Sequence, residues 1–159
     1  MNNILRAVEF LGLSLWLGSD VFLSFVLAPG AFRVLLPYRD QAGAIVGFAL
    51  AKMHLIGVAS GVVILLVRLL RTKSLASCVA PAALSVVLMM TLTVISEIVV
   101  TPKMAALRTK MGSIQATAAD SPLLAEFARL HQISVGLESG VLLAGILSMY
   151  LMVIELGPK

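Results

Sequence analysis

Four long apolar runs alternate with short polar segments along the chain. A helix needs about 20 apolar residues to cross the hydrocarbon core of a bilayer. The runs therefore predict membrane-spanning helices at about residues 4–27, 43–70, 79–100 and 123–155. We expect helices because lipid offers no partner to a free backbone group, and the two-residue alternation of a membrane β-strand is absent. The pattern predicts an all-α integral membrane protein, a four-transmembrane-helix bundle with residues 1–159 as one domain.

The polar segments indicate where the predicted helices end. Pro29 and Pro37 fall in the first connection, residues 71–74 form the second, and residues 112–122 form the third. A basic, amphipathic stretch at about 103–115 predicts an extension of the third helix beyond the lipid. The second, third and fourth helices are thus expected to protrude on the side of the first and third connections. We call this the long-helix side.

The composition agrees with a lipid environment. Of the 159 residues, 60% are hydrophobic and 13% are charged, about half the charged share of a soluble domain. The first run exceeds the roughly 7–15 apolar residues of a signal peptide, so we interpret it as a span. No basic run with interleaved aromatic residues suggests nucleic acid as a partner. Of the twelve Lys and Arg residues, five lie on one side and six on the other, so neither the orientation nor the type of membrane follows.

A pair of similar segments predicts an internal repeat. AKMHLIGVASGVVILL follows Pro29, and ARLHQISVGLESGVLL follows Pro102. Each segment opens an apolar run with a histidine, His54 in the first and His131 in the second. The fold would then consist of two tandem helical hairpins related by an axis along the membrane normal, with the two histidines at similar depth. The alternative is that prolines and small residues recur in any membrane helix.

Ionisable residues inside the apolar runs are the candidate functional residues, since burying them in lipid is costly. Their depths, counted along each run, place them together toward the long-helix side. This set of candidates consists of Asp20, His54, Glu97, His131 and Glu138. Glu9 lies nearer the opposite side of the membrane, yet on the same face of the first helix as Asp20.

Carboxylates and imidazoles that converge inside a bundle have several chemical uses. They bind transition metals, with copper as the first metal to consider, and His54, His131, Asp20, Glu97 and Glu138 would be the ligands. The same residues could carry protons. His54 and His131 could instead be the axial ligands of a haem. The simplest interpretation is that Lys52 pairs with an acid and that the other groups are structural. No catalytic motif or substrate suggests an enzyme.

Four segments resemble a known membrane family. LSLWLGSDVFLSFVLAPGAF, AGAIVG, TPKMAALR and FARLHQISVGLESGVLLAG together resemble the transmembrane protein 205-like family, which carries a domain of unknown function. That family is similar to the copper-resistance D-type four-helix membrane proteins, and the similarity implies metal or haem handling. Members of the broader group often carry a histidine early in the first helix, where this chain has Glu9, which argues against haem.

The sequence therefore predicts a multi-pass membrane protein that binds or handles a transition metal at an intramembrane site. One alternative is a non-catalytic accessory subunit, which would assemble with other membrane subunits or as a homo-oligomer in the lipid bilayer. A further alternative is a haem-binding redox protein.

Overall fold

The computed structural model describes residues 2–157 and consists of four long helices. The helices are α1 (Asn2–Val34), α2 (Arg39–Thr72), α3 (Pro81–Met111) and α4 (Pro122–Ile154), each long and apolar enough to cross a membrane. The predicted all-α membrane fold is confirmed. A short 3₁₀ turn, Leu75–Val79, lies in the second connection. Met1, Pro158 and Lys159, at the ends of the predicted domain, lie outside the described residues.

The helices are longer than the hydrocarbon core of a bilayer. Each contains 31 to 34 residues, which corresponds to roughly 45–50 Å at about 1.5 Å per residue, whereas the core is about 30 Å thick. All four helices therefore extend beyond the lipid. Many large apolar side chains are exposed on the outside of the bundle, among them Leu11, Phe25, Phe48 and Leu143. An apolar outer surface is what lipid contact requires.

Prolines lie within α1 and α3 and do not end them. A π-helical turn at Leu23–Leu27 precedes Pro29, and another at Ser96–Val100 precedes Pro102. In a regular α-helix, a proline ring clashes with the carbonyl four residues earlier. The wider π turn relieves that clash, so each helix passes through its proline. The first helix consequently ends at Val34, whereas the apolar run predicted an end near residue 27.

The four helices form a ring in chain order. α1 packs most closely on α2, and α3 on α4, while contacts between α2 and α3 and between α1 and α4 close the ring. Buried residues recur at intervals of three and four along each helix, the spacing of interlocking side chains in a bundle. The apolar core lies between the central level and the second connection. Its residues include Leu13, Trp16, Ile64, Val86, Met89, Val141 and Met152.

The third connection is held against the start of α2 on the long-helix side. Asp40 accepts hydrogen bonds from the Ser113 hydroxyl at 2.5 Å and from the Ile114 backbone N–H at 2.9 Å. The backbone N–H of Arg39 donates to the Gln115 side-chain oxygen at 2.9 Å. These contacts satisfy orphan groups at the helix terminus and join the two halves of the chain.

Candidate functional site

Each helix contributes one ionisable residue to a cluster at the middle level of the bundle. Asp20, His54, Glu97 and Glu138 each lie within two residues of the midpoint of their helix. Asp20 is 1% exposed, His54 2% and Glu138 9%. The spacing of three and four that defines the buried face of each helix carries these side chains inward. We call these four residues the midplane cluster.

His54 lies between two carboxylates. Its Nδ1 is 2.8 Å from Oε2 of Glu97, and its Nε2 is 2.6 Å from Oε1 of Glu138. Asp20 lies near the middle of α1, at the level of this contact. Its Oδ1 accepts a hydrogen bond from the Ser24 hydroxyl at 3.2 Å. The imidazole therefore connects α2 to both α3 and α4, while Asp20 approaches from α1.

The number of protons in these contacts follows from hydrogen-bond chemistry. Each contact between a ring nitrogen and a carboxylate oxygen needs one proton, held either by the ring or by the carboxyl group. His54, Glu97 and Glu138 therefore share two protons, and together they carry one negative charge in either arrangement. Ionised Asp20 would add a second. The cluster is thus an anionic site inside an apolar bundle.

Lys52, which the sequence suggested as the partner of a buried acid, makes no hydrogen bond or ion pair to the four cluster residues. Lys52 projects over the ring of Phe48, with its Nζ 5.5 Å from the ring centroid. Within residues 2–157 it forms no ion pair with an acid. The simple structural interpretation, in which Lys52 neutralises one of the buried acids, therefore does not describe this cluster.

Two carboxylate oxygens in the cluster are buried without a hydrogen-bond partner among the described residues. They are Oδ2 of Asp20 and Oε2 of Glu138. The hydroxyl groups of Thr93 and Ser96, on the same stretch of α3, are also buried and unpaired. Most buried polar groups in proteins have partners, so such a concentration needs an explanation. A proton or a bound cation would satisfy the carboxylate oxygens.

The cluster reaches the outside of the bundle at Glu97 and is covered toward the second connection. The Glu97 side chain is 43% exposed, the largest exposed fraction in the cluster. Toward the second connection, the side chains of Trp16, Ile64, Met89 and Val141 fill the bundle and are almost completely buried. This apolar layer separates the cluster from that end of the protein.

His131 lies outside the cluster. It lies seven residues before Glu138, and its side chain is exposed. Within residues 2–157, no hydrogen bond joins it to the four cluster residues. The prediction of similar depth for His54 and His131 assumed that their helices begin at equivalent positions. His54 lies in the fifth turn of α2, however, and His131 in the third turn of α4. Glu138 instead occupies the central level of α4.

The arrangement does not fit a metal ion or a bis-histidine haem as it stands. Among residues 2–157, no group of three or more His, Cys, Asp and Glu residues could hold a metal ion. The physical reason is that the two ring nitrogens of an imidazole point in different directions. Glu97 and Glu138 contact opposite edges of the His54 ring and cannot converge on one ion with it. Both ring nitrogens of His54 contact carboxylates, and His131 lies outside the cluster. Axial haem ligation by these two histidines is therefore also not supported by this arrangement.

Comparison with known proteins identifies the family. A family model described as a domain of unknown function, DUF4149, matches residues 11–113, more than half of the chain, which therefore belongs to that family. The matched region contains Asp20, His54 and Glu97 but not Glu138. Searches of the curated proteins and of the solved structures found no match.

Proposed function

We propose that this member of the DUF4149 family takes up and releases protons at the midplane cluster, as the proton-binding element of transport across the bilayer. The observation that carries the proposal is the position of His54, held between Glu97 and Glu138 in the middle of the bundle. Intramembrane ionisable residues with this placement are typical of proton relays. The negative charge of the cluster, and its two carboxylate oxygens without hydrogen-bond partners among the described residues, also favour proton binding.

The relay would run from Glu97 through His54 to Glu138. A proton arrives on the free oxygen of the Glu97 carboxyl group, and the proton already held between Glu97 and His54 moves onto Nδ1. The proton on Nε2 then passes to Glu138. The imidazole thus gains one proton and loses another, so its charge is unchanged after both steps. Asp20, at the same level of α1, would be the further acceptor. The reverse sequence releases the proton, and the steps between Glu97, His54 and Glu138 use groups already within hydrogen-bond reach.

The π turns would supply the conformational change that transport needs. Glu97 belongs to the π turn of α3, and Asp20 bonds to Ser24 in the π turn of α1. π-helical turns often occur at functional sites. A movement of these turns that keeps the π geometry before each proline would shift the carboxylates relative to the apolar layer formed by Trp16 and its neighbours, and would change the side from which the cluster is reached.

Proton flux into proteoliposomes tests this proposal. Vesicles that contain a pH-sensitive dye would be subjected to an imposed membrane potential, and the rate of acidification would be recorded. We expect Glu138→Gln to lower the rate by about a hundredfold, the scale associated with removing one proton-transfer group. Glu126→Gln makes the same change at an exposed position of α4 and should leave the rate unaltered. Wild-type flux equal to that of empty vesicles would refute the proposal.

Transition-metal handling is a second candidate, carried by the unpaired oxygens of Asp20 and Glu138 beside an imidazole. The resemblance to copper-resistance D-type proteins supports the same idea. His54 would first have to leave one of its carboxylates, since the present arrangement holds no convergent set of ligands. Copper or zinc retained stoichiometrically by the purified wild type and lost in His54→Gln would favour metal over protons. Metal-free, proton-conducting protein would exclude this candidate.

An accessory-subunit role, in which the cluster only joins helices, predicts a different response to Asp20→Asn. Asparagine keeps an oxygen for the Ser24 hydroxyl but removes an ionisable carboxyl group that is 1% exposed. If function maintains the charge, we expect the substitution to stabilise the protein by about 1–2 kcal/mol, as at other strained functional sites. Unfolding in mixed detergent micelles measures this, with Asp120→Asn in the exposed third connection as control. A clear loss of stability would favour the structural role.

A further inference from the structure

A second polar region lies at the end of the bundle opposite the long-helix side. It surrounds a cavity of about 320 Å³ between the ends of the four helices. Three arginines line this cavity together with two glutamates, and we call it the arginine cavity. The residues that matter for its chemistry are Arg6, Glu9, Arg68, Arg71, Ala80 and Glu155. None of them belongs to the midplane cluster.

The charges around the cavity do not balance. Arg71 donates two hydrogen bonds to Glu9, at 2.8 and 3.2 Å. Arg68 donates to Glu155 through Nη2 and to the Ser77 carbonyl through Nε. These contacts neutralise two arginines with two glutamates. Arg6 is the third arginine, and among the described residues it forms no ion pair. The cavity therefore carries one surplus positive charge.

One donor in the cavity is buried and unused. Arg68 is 3% exposed, and its Nη1 has no hydrogen-bond partner within residues 2–157. Oε2 of Glu9 lies 3.8 Å from this Nη1, beyond hydrogen-bond distance. A buried guanidinium donor without an acceptor is costly. An acceptor brought by a ligand would satisfy it.

The backbone adds positive character to the same place. α3 begins at Pro81, and Ala80, its N-cap residue, lines the cavity. The N-terminus of a long helix carries a partial positive charge and favours anions. The cavity also lies where helices emerge from the apolar belt, which is the level of lipid headgroups.

We propose that the arginine cavity binds a phosphate group. Arginine is suited to phosphate because its planar donors pair with two oxygens at once. The unpaired Arg68 Nη1, the surplus charge of Arg6 and the start of α3 together form the binding surface. The phosphate could belong to a lipid headgroup or be free in solution, and both sources share this chemistry.

Calorimetric titration of the purified protein in a neutral detergent tests the proposal and identifies the source. The two probes are dihexanoyl phosphatidic acid and inorganic phosphate. Binding of the lipid alone would indicate a headgroup site, and binding of inorganic phosphate would indicate a site for free phosphate. The affinity of the bound probe should fall about tenfold, or 1.4 kcal/mol, in Arg6→Gln.

Arg6 is the residue to change because its side chain makes no hydrogen bond or ion pair to the part of the chain that the structure describes. Arg39→Gln is the matched control, since it removes one exposed positive charge at the long-helix side of the bundle. The control should bind as the wild type does. Absence of binding of both probes to the wild type would overturn the proposal, as would equal affinities in the Arg6 and Arg39 variants.

Discussion

Replacing Gly57 with alanine is expected to destabilise the protein by about 3 kcal/mol or more, the upper range for overpacking a core. A Cβ atom at this position would lie 2.4 Å from Nε1 and 2.5 Å from Cε2 of Trp16. Such distances are far below van der Waals contact. The indole is completely buried and is part of the apolar core, so it cannot swing away. Unfolding in mixed detergent micelles would measure the loss.

Gly136→Ala is the control for this prediction. Gly136 lies within α4, and a Cβ added there would meet no atom within 4 Å. Because alanine has a higher helix propensity than glycine, that variant should be as stable as the wild type or more stable by up to about 1 kcal/mol. Equal stability of the Gly57 and Gly136 variants would mean that Trp16 does not pack against α2 as described.

The hydrophobic pattern was sufficient to predict the four spans but not where each helix ends. Pro29 follows an apolar run of adequate length, and a proline is normally a reason to end a helix. Whether a π turn forms before the proline depends on neighbouring helices, which a single run does not reveal. The starts of α2 and α4, at Arg39 and Pro122, also precede the apolar runs, since polar residues can be helical beyond the lipid.

Depth counted along the runs placed Asp20, His54, Glu97, Glu138 and His131 together, toward the long-helix side. The structure brings Asp20, His54, Glu97 and Glu138 to one level, because each lies close to the middle of its helix. It places His131 apart from them. Similar sequence around two histidines does not fix their depth when their helices start at different distances before them. The pairing of His54 with two acids depends on how the helices pack, which the spacing of residues along the chain does not reveal.

The π turns bear on the predicted repeat. Each ends two residues before a proline, at Leu27 before Pro29 and at Val100 before Pro102. This correspondence between α1 and α3 agrees with two related hairpins, but the histidine segments do not coincide in depth. The repeat therefore stays a prediction, favoured by the first helix of each hairpin and not by the second.

Two polar regions with an apolar layer between them define how the bundle is organised. The midplane cluster is anionic and the arginine cavity has a surplus positive charge, and Trp16, Ile64 and Met89 lie between them. Charge separated along the bundle in this way creates a field across the apolar layer. A cation leaving the cluster would have to pass that layer and then a positive region. Exchange toward the exposed Glu97 is consequently the easier direction.

Glu9→Gln is expected to cost about 3 kcal/mol or more, the scale for breaking a buried ion pair by removing one partner. The Glu9 side chain is 4% exposed, accepts both hydrogen bonds from Arg71 and faces Nη1 of Arg68. Glutamine has nearly the same shape but only one acceptor oxygen and no charge. Three arginines would then face a single acid, Glu155. The free energy of unfolding in mixed micelles measures the effect.

The control for Glu9 is Glu126→Gln, the same chemical change at an exposed position, which should alter stability by less than about 0.5 kcal/mol.

The Glu9 variant also connects stability to the arginine cavity. With Glu9 neutral, a bound phosphate group would supply the missing negative charge, so dihexanoyl phosphatidic acid or inorganic phosphate should stabilise the variant more than the wild type. If Glu9→Gln is as stable as the wild type without either compound, Glu9 does not balance the buried arginines, and the net charge of the cavity is different from the one derived from these contacts.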